Sequence, residues 1–218
     1  MALSSATATP PLVSPVQTGQ PGGDDLTPPP GIERTQSDDS FHTAEIPVIT
    51  LKQAADPVVE DGGVKTKWIF QGAEPVQLFE VFSDFVHFPE LLSDTFLAAT
   101  EGKPDSSGVV PVQFTAQKFG RKDTYTLLHE LTPPTLDNPD ARIEWRMPEQ
   151  STWMKQNEGY TVFHRVMTDE GPATEVAHYL KIIPNTWLPG AKALARSSAP
   201  GDIAVQFGAV RDHLNGSV

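Results

Sequence analysis

Three histidines stand in alternating apolar runs: His129 between Leu127 and Leu131, His164 between Val162 and Val166, and His178 between Val176 and Leu180. Side chains two apart on a strand share a face, so this spacing predicts imidazoles aimed at an apolar interior. A histidine titrates near neutral pH and can donate or accept a hydrogen bond. Such a group can orient a ligand carbonyl or act as general acid or base. Three imidazoles can also hold a metal ion, although no metal and no other cofactor is expected. The plainer reading makes one or two of them core residues bonded to backbone. Tyr125 and Tyr160 lie in phase with these runs and add phenols to the same face. Glu144 and Arg146 have the phase opposite to Trp145 and are read as solvent-facing.

The rest of the chain offers little other chemistry. There is no cysteine, which excludes disulfides, thiolate metal sites and a cysteine nucleophile. No nucleophile elbow, phosphate loop, dinucleotide fingerprint or HExxH pattern is present. No residue is therefore assigned a catalytic role.

A second feature is aromatic. The stretch EPVQLFEVFSDFVHFPELLSD, residues 74–94, carries Phe79, Phe82, Phe85 and Phe88. Val76, Phe79 and Phe82 recur at helical spacing, and Pro75 suits a first helical turn, where its missing N–H is not needed. Pro89 begins a second short helix. The rings either close a solid core or form one wall of a pocket for something apolar.

The elements that position these residues follow from periodicity. VKTKWIFQG, from Val64, alternates and reads as a strand ahead of the two short helices. Between Thr95 and Ile183 the period is two, broken by TPPTLDNPD, MPEQST and TDEGPAT, which read as loops between antiparallel neighbours. Residues 200–214 carry Ile203, Phe207, Val210 and Leu214 on one helical stripe, with Asp202 as an N-cap. That stripe needs an apolar partner, and the concave face of a six- or seven-stranded antiparallel sheet supplies one.

Composition bounds the partners. The chain has 218 residues and a formal net charge of −12, from 28 acidic and 16 basic residues. Such a surface repels phosphate backbones and anionic membranes, so no nucleic-acid partner is expected and membrane contact is at most transient. No apolar run approaches the roughly 20 residues that span a bilayer. The absence of cysteine favours a reducing compartment. The expectation is a soluble intracellular protein, cytoplasmic or plastid.

Residues 1–60 hold nine of the 21 prolines and a net charge of −6. They are read as a disordered acidic segment, with two working alternatives: a plastid-type targeting peptide or an arm that recruits a protein partner. The apolar patch IPVITL, 46–51, is the one part suited to lie against the domain.

The order strand, two short helices, five or six strands and a C-terminal amphipathic helix resembles the helix-grip fold of the START and pollen-allergen-like (SRPBCC) superfamily. Within it, the chain is most similar to the polyketide cyclase/dehydrase and lipid-transport family, which includes coenzyme Q-binding proteins. The resemblance rests on residues 74–94, with Asp84 in the connecting position, and on IIPNTWLPGAKAL, 182–194. It covers about residues 63–214. It implies an α+β domain whose sheet wraps a long C-terminal helix around an internal cavity. The implied ligand is a hydrophobic small molecule such as a lipid, quinone or isoprenoid. The residues placed at that ligand are Phe79, Phe82, Phe85, Phe88, Tyr125, His129, Tyr160, His164, His178 and Phe207. The alternatives are a cyclase/dehydratase-type enzyme acting on a polyketide-like substrate through these tyrosines and histidines, and a scaffold whose acidic tail recruits a partner.

Overall fold

In the computed structural model the described residues are 48–118, 121–186 and 190–217. The expectations placed on residues 1–47, the disordered tail, the targeting peptide and the partner arm, lie outside them.

The domain begins with a hairpin. Strand β1, Thr50–Glu60, pairs antiparallel with β2, Gly63–Gln71. Asp61 and Gly62 between them both take positive φ, 47° and 81°, the backbone that a tight two-residue hairpin turn requires. The reading of residues 1–60 as one disordered segment is thus corrected for Thr50–Glu60. This strand was hidden because almost every residue of it is exposed; ladder hydrogen bonds and not an apolar face hold it. Its N-terminal end is fastened by a side-chain amide. Ile49 N–H donates to Asn215 Oδ1 at 2.8 Å, and Asn215 Nδ2 donates back to the Ile49 carbonyl at 2.9 Å.

Helix α1, Pro75–Ser83, follows β2, then a 3-10 turn at Phe85–His87 and the short α2, Phe88–Leu91. The Glu74 N–H donates to Gln77 Oε1 at 2.9 Å, satisfying one orphan donor at the start of α1. The buried stripe is Pro75, Leu78, Phe79 and Phe82, so Val76 faces solvent, one position out of the expected register. Five meander strands follow: β3 Phe96–Glu101, β4 Val110–Lys118, β5 Arg121–Thr132, β6 Ala141–Arg146 and β7 Met154–Thr168. Strand β8, Gly171–Pro184, then returns to pair with both β7 and β2. The single sheet has the order β1-β2-β8-β7-β6-β5-β4-β3, antiparallel throughout. Among the described residues eight strands replace the expected six or seven, and the helices follow the second of them rather than the first.

Helix α3, Ala191–Leu214, lies against the sheet with Ala199, Ile203, Phe207 and Val210 buried. It starts well before the expected residue 200, and Pro200 lies within it. The early part, AKALARSSA, is good helix-forming sequence without an apolar stripe, which is why periodicity does not mark it.

One glycine shapes the interior. Gly159 of β7 sits opposite Trp145 of β6 and Leu180 of β8. A Cβ there would collide with the Tyr179 carbonyl oxygen and lie 2.5 Å from Trp145 Cζ2. Gly159→Ala is therefore expected to lower unfolding free energy by about 1–3 kcal/mol through overpacking. Urea unfolding checks this; an unchanged midpoint would mean that the β8 backbone at Tyr179 and the indole both shift at no cost.

Candidate functional site

Rows of residues across the sheet define the inner face. One row runs Leu131, Ile143, Thr161, His178, Thr66 over β5, β6, β7, β8 and β2. The next runs Val110, His129, Trp145, Gly159, Leu180, Val64. The inner face therefore carries a polar strip across β7, β8 and β2, formed by Asn157, Thr161, His178 and Thr66, with His129 apart from it on β5; all five are buried.

His178 holds the centre of that strip. Its Nδ1 lies 2.9 Å from Thr161 Oγ1. Its ring sits 5.4 Å from that of Trp145, tilted by 34°, and edge-on to Phe207 of α3 at 5.5 Å. Trp145 Nε1 donates to Asn157 Oδ1 at 3.1 Å, which fixes the indole over Gly159. Burial pushes His178 down to about 4, so it is neutral at physiological pH.

His129 belongs to a different neighbourhood. Its ring packs 4.1 Å from Phe85, and Phe114 lies 6.1 Å away. Burial pushes it down to about 4, partly offset by the carbonyls of Val110 and Leu127. Tyr125 is 6.0 Å from the same Phe114, and burial, with Asp123 nearby, raises its phenol above the ordinary tyrosine range. Both imidazoles and this phenol are thus neutral hydrogen-bonding groups at pH 7, not imidazolium or phenolate catalysts.

The phenylalanines of the helix pair are all buried, as is Phe207. Phe82 links them to α3, with rings 5.3 Å from Phe207 and 5.4 Å from Phe163. Phe85 and Phe88 pack on Phe114 instead. The rings meet one another: the gap between α3 and the sheet at Val64, Leu180, Ile182, Ala195, Arg196 and Ala199 is about 10 Å³, room for one water at most.

Two expected inward residues face the other way. His164 lies on the outer side of β7, its Nδ1 2.7 Å from Asp140 Oδ2, with both side chains about 40% exposed. Tyr160 also lies outside, stacked on Tyr179 at 5.4 Å and covered by the Arg142 guanidinium at 4.6 Å. The inward set on β7 is Asn157, Thr161 and Phe163. This strand has apolar residues in both phases, and the one with more of them, Tyr160, Val162 and Val166, is the outer one. Three histidines therefore do not converge. Among the described residues no group of three or more metal-ligating side chains is placed to hold an ion.

Among the described residues three buried polar atoms on the inner face lack a hydrogen-bond partner: Thr66 Oγ1, Trp68 Nε1 and His129 Nδ1. Native interiors hold few such atoms, and each costs about 1–3 kcal/mol when left unpaired. Thr66 and Trp68 are two apart on β2, so they point the same way. The alternation of VKTKWIFQG puts both on one strand face, and no role was expected of either. The signal was a hydroxyl and an indole in an otherwise apolar inward phase; Thr161, in phase with Phe163, was the same kind of signal.

No family model matches the sequence, and neither does any curated protein. Solved structures do match. A START superfamily protein from Mycobacterium smegmatis aligns over 78% of this chain and 99% of its own, at 12% identity and a TM-score of 0.51. A STAR-related lipid transfer protein from Xanthomonas axonopodis aligns over 77% and 99%, at 14% identity and a TM-score of 0.52. Human STARD10 aligns over 76% and 74%, at 11% identity and a TM-score of 0.51. The chain has the START fold. Among the described residues no helix is long and apolar enough to cross a membrane.

Proposed function

We propose that this domain binds one apolar small molecule between the sheet and α3. The observation that carries the reading is the pair of unpartnered buried atoms on one face of β2, Thr66 Oγ1 and Trp68 Nε1, set among aromatic rings. Ligand pockets are mostly apolar with a few placed polar groups, and this interior has that composition. The solved structures of the same fold, among them a STAR-related lipid transfer protein, support it from the side of the fold.

A ring-filled interior must open to admit a guest, and α3 supplies the opening. Between Ala191 and Ala199 only Ala199 is buried, whereas Ile203, Phe207 and Val210 anchor the second half. Pro200 has no N–H to donate to the Arg196 carbonyl, so the ladder is weakest where the two halves join. Swinging the first half outward uncovers Val64, Leu180 and Ile182, with Thr66 and His178 in the adjoining row.

The test is a conservative substitution at the orphan hydroxyl. Thr66→Val keeps the shape and removes the unpaired group, so it is expected to stabilise the ligand-free domain by about 1–2 kcal/mol. The same change weakens binding of a co-purified or added apolar ligand. A variant that is less stable and binds as before would mean that the hydroxyl serves the fold and not a guest.

A further inference from the structure

We infer that the guest is uncharged and carries an oxygen acceptor, as a ketone, ester or alcohol does on an apolar skeleton. This rests on the ligand-binding reading above and narrows it to one chemical class. The first reason is Trp68. An indole N–H donates and never accepts, and Trp68, 7% exposed, has no acceptor for it. A guest that satisfies it presents oxygen there. Thr66 Oγ1, on the same face of β2, can donate to that oxygen or accept from a hydroxyl.

The second reason is what the interior lacks. Among the described residues no lysine, arginine, aspartate or glutamate is fully buried. A carboxylate or phosphate drawn inside would lose its hydration with no counter-ion, and an ammonium would do the same. His129 and His178 do not substitute for a cation, because burial keeps both imidazoles neutral at physiological pH. Arg196 stands exposed at the rim of the gap beside α3. An anionic head held there would leave Trp68 and Thr66 unmatched.

The experiment compares ligands of one skeleton: dodecane, dodecanol, methyl laurate, laurate and dodecylamine, each titrated into the full chain at neutral pH by calorimetry and native mass spectrometry. Methyl laurate and dodecanol are expected to bind at least about tenfold tighter than laurate and dodecylammonium. Trp68→Phe keeps the ring and removes the donor. It is expected to weaken methyl laurate about five- to tenfold and to leave dodecane unchanged. Thr66→Val reads the same face should Trp68→Phe fold poorly. Laurate binding as tightly as methyl laurate overturns the uncharged class while the apolar site stands, and loss of that laurate affinity in Arg196→Gln alone places its head at the rim. Failure of all five compounds overturns the ligand-binding reading itself.

Discussion

Phe207→Ala is expected to lower the unfolding free energy by about 3–5 kcal/mol, the range for removing a fully buried phenylalanine. Phe207 is 0% exposed and stands where the two parts of the fold meet. Its ring lies 5.7 Å from Trp68, 5.8 Å from Phe70, 5.3 Å from Phe82 and 5.5 Å from His178. Removing it cuts the contact of α3 with β2, with α1 and with the polar strip at once. The loss exceeds the transfer of one ring because the surroundings, a sheet on one side and a helix pair on the other, cannot collapse into the space. Urea unfolding followed by tryptophan fluorescence measures it, with a lower midpoint and an unchanged slope as the expected signature. Phe207→Leu is expected to lose clearly less. A loss below about 1 kcal/mol for the alanine variant would mean that the ring is not part of the core.

Acidification is the second large effect. In the unfolded chain His129 and His178 take up protons near pH 6.5, whereas in the folded domain each is pushed down to about 4 by burial. The unfolded state therefore binds more protons between those values, and stability falls as pH falls through that window. Above the window nothing is lost, and below it the loss is complete. Between neutral pH and roughly pH 5 each histidine is expected to remove about 2 kcal/mol. His87 acts in the opposite sense: its hydrogen bond to Asp84 raises its proton affinity in the folded state. Its side chain is 62% exposed, so its share is small. Urea midpoints at the two pH values check this. His178→Gln is expected to cut the pH dependence by about half, and an unaltered dependence would show that His178 is not buried as a neutral ring.

Most of the fold was legible in the sequence, because period two marks the meander strands even where, as on β7, both phases hold apolar residues, and α1 has an apolar stripe. His129 and His178 were placed inward correctly, the first in a run whose other phase, Thr124, Thr126, Leu128 and Glu130, is mostly polar, the second in a run with apolar residues in both phases. His164 and Tyr160 were not. On β7 the outer phase holds Tyr160, Val162 and Val166, and only the ladder, which sets Thr161 between Ile143 and His178, shows which phase is inside. Strand β1 left no trace in hydrophobicity, because an edge strand exposed along its length is held by backbone hydrogen bonds. The early turns of α3 were missed because alanine and serine carry helix without a stripe. Orphaned atoms belong to a further category: that Trp68 Nε1 and Thr66 Oγ1 lack partners depends on what the opposite elements bring near them. That is a property of packing, which no local pattern encodes.

The most direct test of the account is native mass spectrometry of the full chain, gently purified and then equilibrated with excess methyl laurate, followed by organic extraction. The account predicts an adduct of about one small molecule per chain, either carried through purification or taken up from the added ester. The bare chain mass under both conditions, with nothing apolar in the extract, would contradict it.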